Sequence, residues 1–434
     1  VKYGNSIEGL VCIISGPATN PVVYASGDGA DSSAGAASAG LNLGLRNVVV
    51  CWEVANTGIR HPAHHFLWHR RKSSLVAILV DDDSHSVNAA WLAGIADDIA
   101  ALRADGKNVV VVSSGAIALG SHVLGLGGQT LALEEKQAAA AAGQVVLAHA
   151  WSVALAAQKL GTAQILLSPD DTETRRRHLN ARATMSTLLS LGAVPVVNEN
   201  DTVATAEIRF GDNDRLAARV AAMISADLLI LLSDVDGLYS SNPRKHTGAT
   251  HIAEVTTLSD SIMKMAGTAN AAYASGGMVT KLEAARIAMS AGCSMVICDG
   301  RIERPVAALA GGGRHTVFRP EDSPLTARKR WIGGALTPKG TLQIDTGAEA
   351  ALRKGRSLLP AGVVAARGKF ERGDLIAVEN EAGQIIANGL SAYSLADTQI
   401  ILGHKSREIE RLLGYRGRDE LVHADDLVML ENSN

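Results

Sequence analysis

The stretch that points most directly to chemistry is Ser275-Gly276-Gly277-Met278-Val279-Thr280-Lys281, which opens a helix-like segment. Paired glycines let a backbone approach a ligand closely, and a helix N-terminus favours an anion. The Lys281 ammonium can neutralise charge on a transferring phosphoryl group. This is not a Walker A sequence, and alone it reads equally well as a structural turn. Four other stretches follow short apolar runs or open helices. Asn198-Glu199-Asn200-Asp201 follows residues 194–197; four polar side chains after a buried strand are poor core material, and Asp201 can pair with a cationic amine. Gly211-Asp212-Asn213-Asp214 opens a helix, where Asp and Asn also serve as N-caps. With Asp201 close in space, Asn213 and Asp214 can hold a polar substrate or organise a catalytic lysine. Ser233-Asp234-Val235-Asp236-Gly237-Leu238-Tyr239 follows residues 228–232 and suits nucleotide contact, although Asp-Gly turn chemistry explains part of it. Ser113-Ser114-Gly115-Ala116 follows residues 109–112, and small residues there let backbone N–H groups approach an anion.

These stretches need a frame that brings their ends together. Helical apolar spacing covers residues 89–102, 134–158, 175–191, 214–225 and 278–291. Short apolar runs, suited to strands buried on both faces, cover 75–80, 108–112, 163–167, 193–197, 227–232 and 294–298. Strands and helices in turn predict an α/β domain with a mainly parallel sheet, whose ligands gather beyond the carboxyl ends of the strands. The pattern changes after Pro324. Residues 331–337 read as a connection, followed by strand-like runs at 341–344, 362–366, 375–379 and 384–389 and one helix near 348–353. That describes a small β-rich second domain. The expected division is therefore an atypical, poorly ordered segment at 1–70, an α/β domain at 71–330 and a β-rich domain at 338–432.

Composition bounds the partners. The chain has 434 residues, 47% hydrophobic and 20% charged, with a formal net charge of −3. Such a balance favours a globular protein and gives no general reason for a nucleic-acid or membrane-surface partner. Cys12, Cys51, Cys293 and Cys298 show no metal-ligand pattern, and Cys293 and Cys298 read as buried thiols in a reducing cytoplasm. Residues 138–157 carry no formal charge, but ten of these 20 residues are alanine, which favours a packed helix over a membrane span. Residues 25–44 are rich in Gly, Ala and Ser, and His61, His64, His65 and His69 cluster without a Cys or carboxylate partner. An unstructured segment is the expectation there, and no residue is assigned to a metal.

At these motifs the sequence resembles the amino-acid kinase superfamily, and within it the glutamate 5-kinases. The carriers are Ser-Ser-Gly-Ala-Ile-Ala at 113–118, Asn-Glu-Asn-Asp at 198–201, Gly-Asp-Asn-Asp at 211–214, Ser-Asp-Val-Asp-Gly-Leu-Tyr at 233–239 and Gly-Gly-Met-Val-Thr-Lys at 276–281. Arg182 in its Leu-Asn-Ala-Arg setting and Arg328-Lys329-Arg330-Trp331 agree. From about residue 338 the chain resembles a PUA domain. The resemblance implies a three-layer αβα sandwich with a small PUA-like barrel, ATP with Mg²⁺, and γ-glutamyl phosphate as product, the first step towards proline. It implies that Ser114, Asp201 and Asn213 contact L-glutamate, that Ser233, Asp234 and Ser275 to Lys281 contact ATP, and that Asp214 orients catalytic lysines. It also implies a dimer or tetramer and feedback inhibition by L-proline.

One departure stands out. The family carries Lys-x-Gly-Ser after its first strand; before Leu75 this chain has His69-Arg70-Arg71-Lys72-Ser73-Ser74, which leaves Lys72 as the candidate lysine. Shifted by one base, codons for residues 69–72 can encode Ile-Val-Val-Lys, the strand the family expects. The alternative reading is a kinase fold with a degenerate phosphoryl-transfer site that acts as an RNA-binding or regulatory protein through the PUA domain. Its basis is the loosely basic set Arg353, Lys354, Arg356, Arg367, Lys369 and Arg372.

Overall fold

The computed structural model describes residues 47–52 (backbone only), 87–126, 131–203, 213–266, 277–334 and 337–430. The chain divides into two units: Val1–Glu173 with Ala181–Glu321, and Thr174–Asn180 with Asp322–Asn434.

The first unit alternates strands and helices: β1 Asn47–Trp52, α1 Ala89–Ala104, β2 Asn108–Val112, α2 Ala116–Val123, α3 Leu133–Ala157, β3 Thr162–Leu167, α4 Pro169–Glu173, α5 Arg175–Ser190, β4 Val194–Glu199, α6 Asn213–Met223 and β5 Leu228–Ser233. Short strands β6 Leu238–Tyr239, β7 His251–Ile252 and β8 Glu254–Val255 follow. Then come α7 Asp260–Met265, α8 Met278–Ser290, β9 Ser294–Asp299, α9 Pro305–Ala310 and β10 His315–Phe318. Eight strands form one sheet in the order β3-β4-β2-β1-β5-β9-β10-β8. Every pairing is parallel except β9–β10, which accounts for the mainly parallel sheet read from the sequence.

Period-two alternation distributes the strand side chains between two cores. Val109, Val111, Leu228, Ile230, Val296 and Cys298 meet α1, α3 and α9 on one face. Val110, Val112, Leu229, Leu231, Met295 and Ile297 meet α5, α6 and α8 on the other. Both faces are thus buried, as continuous apolar runs require, and the result is a three-layer αβα sandwich. Each fully buried Leu, Ile or Val contributes about 1.5–3 kcal/mol. Cys293 and Cys298 are buried free thiols, and burial pushes both up from the ordinary thiol range.

Helix α3 is long and apolar enough to cross a membrane by length and composition. Its Leu147, Trp151 and Leu155 instead belong to the first core. It lies very close to α2: a Cβ on Gly120 would sit 1.6 Å from the Ala139 carbonyl oxygen, and one on Gly143 would sit 1.7 Å from that of Ala116. Only glycine permits this approach.

One difference concerns the sheet centre. The expected first strand, 75–80, and the candidate Lys72 lie outside the described residues. The strand between β2 and β5 is Asn47–Trp52, inside the segment expected to lack structure. Its Asn-Val-Val-Val-Cys-Trp sequence is a β-branched run suited to a central parallel strand. The Gly/Ala/Ser-rich composition just before it obscures that signal.

The second unit holds α10 Pro324–Gly334, β11 Gly340–Ile344, α11 Thr346–Arg353, β12 Val363–Gly368, β13 Leu375–Glu379, β14 Ile385–Leu390, α12 Leu395–Ile401, α13 Ile409–Leu413 and β15 Leu427–Met429. Its five-stranded mixed sheet runs β12-β11-β13-β14-β15. Leu342, Ile344, Phe370, Ile376, Val378, Ile386 and Leu427 are part of its main core. Residues 331–334, expected to be connection, end α10. Ile332 of that helix packs with Leu375 and Leu390 in a second small cluster.

Candidate functional site

The parallel sheet carries the carboxyl ends of β2, β4, β5 and β9 to one edge, and the candidate residues follow those ends. Strands β2 and β4 are neighbours, with Val112 beside Val197. The Ser113 N–H donates to the Val197 carbonyl at 2.7 Å, so Ser113-Ser114-Gly115 leaves the sheet beside Asn198. Ser113 is fully buried and its hydroxyl accepts from Trp151 Nε1 at 3.1 Å. Gly115 has φ 101° and caps α2.

At the end of β4 the polar residues form an ordered turn. Asn198 is buried; its Oδ1 accepts from the Glu199 N–H at 2.9 Å, and its Nδ2 donates to Gln144 Oε1 on α3 at 2.7 Å. Asp201 follows, only 8% exposed. Among the described residues no cation or hydrogen-bond donor meets its carboxylate. Burial alone pushes its pKa up to about 7. A carboxylate desolvated without compensation is a poor structural element and a good receptor for an ammonium group.

The other half of the site centres on α6 and α8. Asp214, in the first turn of α6 and 1% exposed, takes the Lys281 ammonium on Oδ2 at 3.0 Å. The Thr280 hydroxyl lies 2.9 Å from the same oxygen and 2.8 Å from the Gly277 carbonyl. Lys281 is 5% exposed, so the pair is dry and its geometry fixed. Asn213 is buried next to it. Gly277 precedes α8 at φ 120°, and a Cβ there would meet nothing within 4 Å among the described residues. Open space at a helix N-terminus beside a buried lysine suits a phosphate.

Ser233, buried at the end of β5, pairs in register with Asp299 of β9. Next to it, Arg244 Nη2 donates to the Asp234 carboxylate at 2.8 Å and to its carbonyl at 3.0 Å. The Arg301 guanidinium gives two hydrogen bonds to the Asp299 carboxylate and its backbone N–H a third, which together hold that carboxyl below the usual range despite its burial. Alternating charges thus line the ends of β5 and β9.

The structure therefore brings Ser114 and Asp201 to adjacent strand ends, and Asp214 together with Thr280 and Lys281. Met278 and Val279 lie in the first turn of α8. Lys72, Gly211, Asp212, Ser275 and Gly276 lie outside the described residues. Two residues of the site escape the sequence reading, Gln144 and Arg244. Gln144 sits mid-helix, 54 positions from the asparagine it binds, with no local signal. Arg244 follows an Asn-Pro turn that could have drawn notice.

The profile of the amino acid kinase family matches residues 78–299, and that of the PUA domain matches residues 340–413. The chain belongs to the amino acid kinase family. This kinase is 58% identical over 353 residues to the glutamate 5-kinase of Paramagnetospirillum magneticum, covering 81% of this chain and 95% of that one. It is 56% identical over 353 residues to the glutamate 5-kinase of Gluconobacter oxydans, covering 81% and 93%. It is 54% identical to glutamate 5-kinase 1 of Rhizobium meliloti, covering 81% and 90%. The kinase profile covers β2 to β9, so every candidate residue except Lys72 falls within it.

Proposed function

We propose that this amino acid kinase transfers the γ-phosphoryl group of ATP to the γ-carboxylate of L-glutamate, giving γ-glutamyl phosphate, the activated acid from which proline is built. The observation that carries the reading is the buried Asp201 carboxylate, which has no cationic partner among the described residues. It would take the substrate ammonium, while the backbone amides around Ser114 and the Asn213 side chain hold the anionic end. A γ-carboxylate oxygen then forms the bond to phosphorus as the bond to the β–γ bridging oxygen breaks. ADP leaves with that electron pair.

An anion attacking an anion needs positioning and charge neutralisation more than covalent help. Lys281 supplies positive charge, and Asp214 holds its ammonium in place. Ser233, Asp234 and the amides opening α8 would hold the nucleotide. Magnesium commonly binds through substrate phosphates and one or two carboxylates, and would add neutralising charge there. Asp234 is a partly exposed carboxylate just beyond the end of β5. Lys72 is the candidate for the family's further lysine. In the sequence after β1, Glu53-Val54-Ala55-Asn56 brings none.

L-Proline carries an α-carboxylate and a cationic secondary ammonium, and would compete for Asp201. Val145 and Val153 of α3 are 71% and 57% exposed within an uncharged stretch, which favours self-association into a dimer or tetramer; light scattering tests it. The RNA-binding alternative is weakened by pairing in the second unit. Arg353 and Arg367 are engaged by Glu349 and Glu379.

The decisive experiment measures ADP release with acyl phosphate trapped as hydroxamate. Glutamate, aspartate and N-acetylglutamate run side by side. Turnover with glutamate is expected. N-Acetylglutamate, which has no ammonium for Asp201, should fail, and its turnover in place of glutamate would overturn the reading.

A further inference from the structure

We propose that Gln144, on α3, is a positioning residue for the amino-acid substrate: its amide fixes the 198–201 turn relative to Ser113-Ser114-Gly115 and so sets the length of acceptor the site takes. This rests on the reading of the site as a glutamate site. The hydrogen-bond logic at Gln144 has one solution. The Glu199 N–H donates to Asn198 Oδ1, which fixes the Asn198 amide and turns its Nδ2 outward. That Nδ2 requires an acceptor, and Gln144 Oε1 supplies it at 2.7 Å. Flipping Gln144 would set two NH₂ groups against each other. Among the described residues the buried Gln144 Nε2 has no hydrogen-bond partner. A buried donor without a partner is a standing cost, retained here with the Gln144–Asn198 bond.

Seven residues further along the same helix, Trp151 donates to Ser113 Oγ at 3.1 Å. Gly143, beside Gln144, lets α2 close onto α3 at Ala116. One rigid helix therefore grips both strand ends that carry acceptor-binding residues, at points roughly 10 Å apart along its axis. Such a helix acts as a spacer between the amides near Ser114 and the Asp201 carboxylate. On this proposal the spacer is what separates glutamate from aspartate, which is one methylene shorter between its ammonium and its distal carboxylate.

The test compares wild type with Q144M, which removes the acceptor at similar volume, and Q144E, which keeps an oxygen facing Asn198. S152A serves as the surface control on the same helix. Steady-state kinetics with glutamate, aspartate and ATP run beside amide exchange at Glu199. For Q144M the expected result is a KM for glutamate raised about tenfold, the loss of roughly one hydrogen bond. Its KM for ATP stays unchanged, discrimination against aspartate narrows, and Glu199 exchanges faster. Q144E restores the Glu199 protection. A KM for glutamate within about twofold of wild type, a parallel rise in both KM values, or unchanged exchange at Glu199 would overturn the proposal. Should Q144M fail to fold, Q144N withdraws the oxygen by one methylene and is read in the same way. A wild type that turns over no glutamate defeats the functional reading, while the exchange arm still decides whether Gln144 holds the turn.

Discussion

Asp201 and Lys281 solve opposite problems at one site. Lys281 is a buried cation neutralised within the protein by Asp214, whereas Asp201 is a buried carboxylate that no cation among the described residues neutralises. For Asp201 the folded-state pKa, about 7, lies above the ordinary carboxylate value. The group therefore costs the free protein nothing at low pH. Stability falls as pH rises past about 4 and levels off above about 7, with each unit worth about 1.4 kcal/mol. Asp201→Asn should make the free protein more stable at pH 8 by on the order of 1–3 kcal/mol, with little effect at pH 4, in urea denaturation. Because only the ionised carboxylate attracts an ammonium, the wild-type KM for glutamate should rise about tenfold per unit below pH 7. In the variant it should be high and flat. An unchanged KM in the variant would remove Asp201 from the site. Lys281→Met should lower kcat by about 10²–10³ with KM for glutamate held within a few-fold, since the lost charge acts on the phosphoryl group. A change confined to KM for glutamate would place Lys281 on the wrong substrate.

At the scale of elements, α3 shows how little side chain a helix needs on a face that works by proximity. Gly120 and Gly143 bring α2 and α3 into backbone contact. Gly143→Ala cannot be relieved by rotating a side chain, because the Cβ meets a carbonyl oxygen. It should cost about 3 kcal/mol or more and lower the melting temperature by roughly 6–12 °C, whereas Ser152→Ala on the exposed face stays within about 0.5 kcal/mol. Equal melting of Gly143→Ala and wild type would mean the helices are further apart than described. The same helix marks the limit of what the sequence discloses. Its extent was legible from residues 134 to 158, as were β2 to β5, α8 and β9, because runs buried on both faces and helices of fixed period leave local traces. The close α2–α3 contact and the Gln144–Asn198 bond were not legible, since each joins residues far apart in sequence. The two-residue strands β6, β7 and β8 are too short for any period. Strand β1 was missed for a different reason: its six residues adjoin a low-complexity stretch that dominated the reading. At the site, Asp201, Asp214 and Lys281 were legible because charged side chains at the ends of apolar runs are conspicuous. Arg244 and Gln144 act through partners that no motif announces.

The whole molecule carries two sets of cores that do not share residues. The clusters of the second unit are built from residues 332 to 429 alone, with Phe370, Ile376, Val378 and Leu427 at their centre. Arg328 on α10 donates to Asp426 through Nε at 3.0 Å and Nη2 at 2.5 Å, and both side chains are largely buried. An ion pair of this kind, with two guanidinium donors converging on Asp426 Oδ1, fixes α10 against the residues before β15, because breaking it would leave one charge buried alone, at a cost of about 3–5 kcal/mol. The natural start of this unit is thus α10 and not the strand that follows it. A fragment of residues 322–434 should unfold cooperatively on heating, as expected of a domain with its own core. A fragment of residues 338–434 lacks Arg328 and Ile332, exposes Leu375 and Leu390, and strands the Asp426 carboxylate. It should melt at least 10 °C lower or fail to fold, at roughly 4–8 °C per kcal/mol for a domain of this size. Circular dichroism of the two fragments decides the point. Equal melting temperatures would mean that α10 contributes nothing to the second unit, and that the Arg328–Asp426 pair merely offsets its own desolvation.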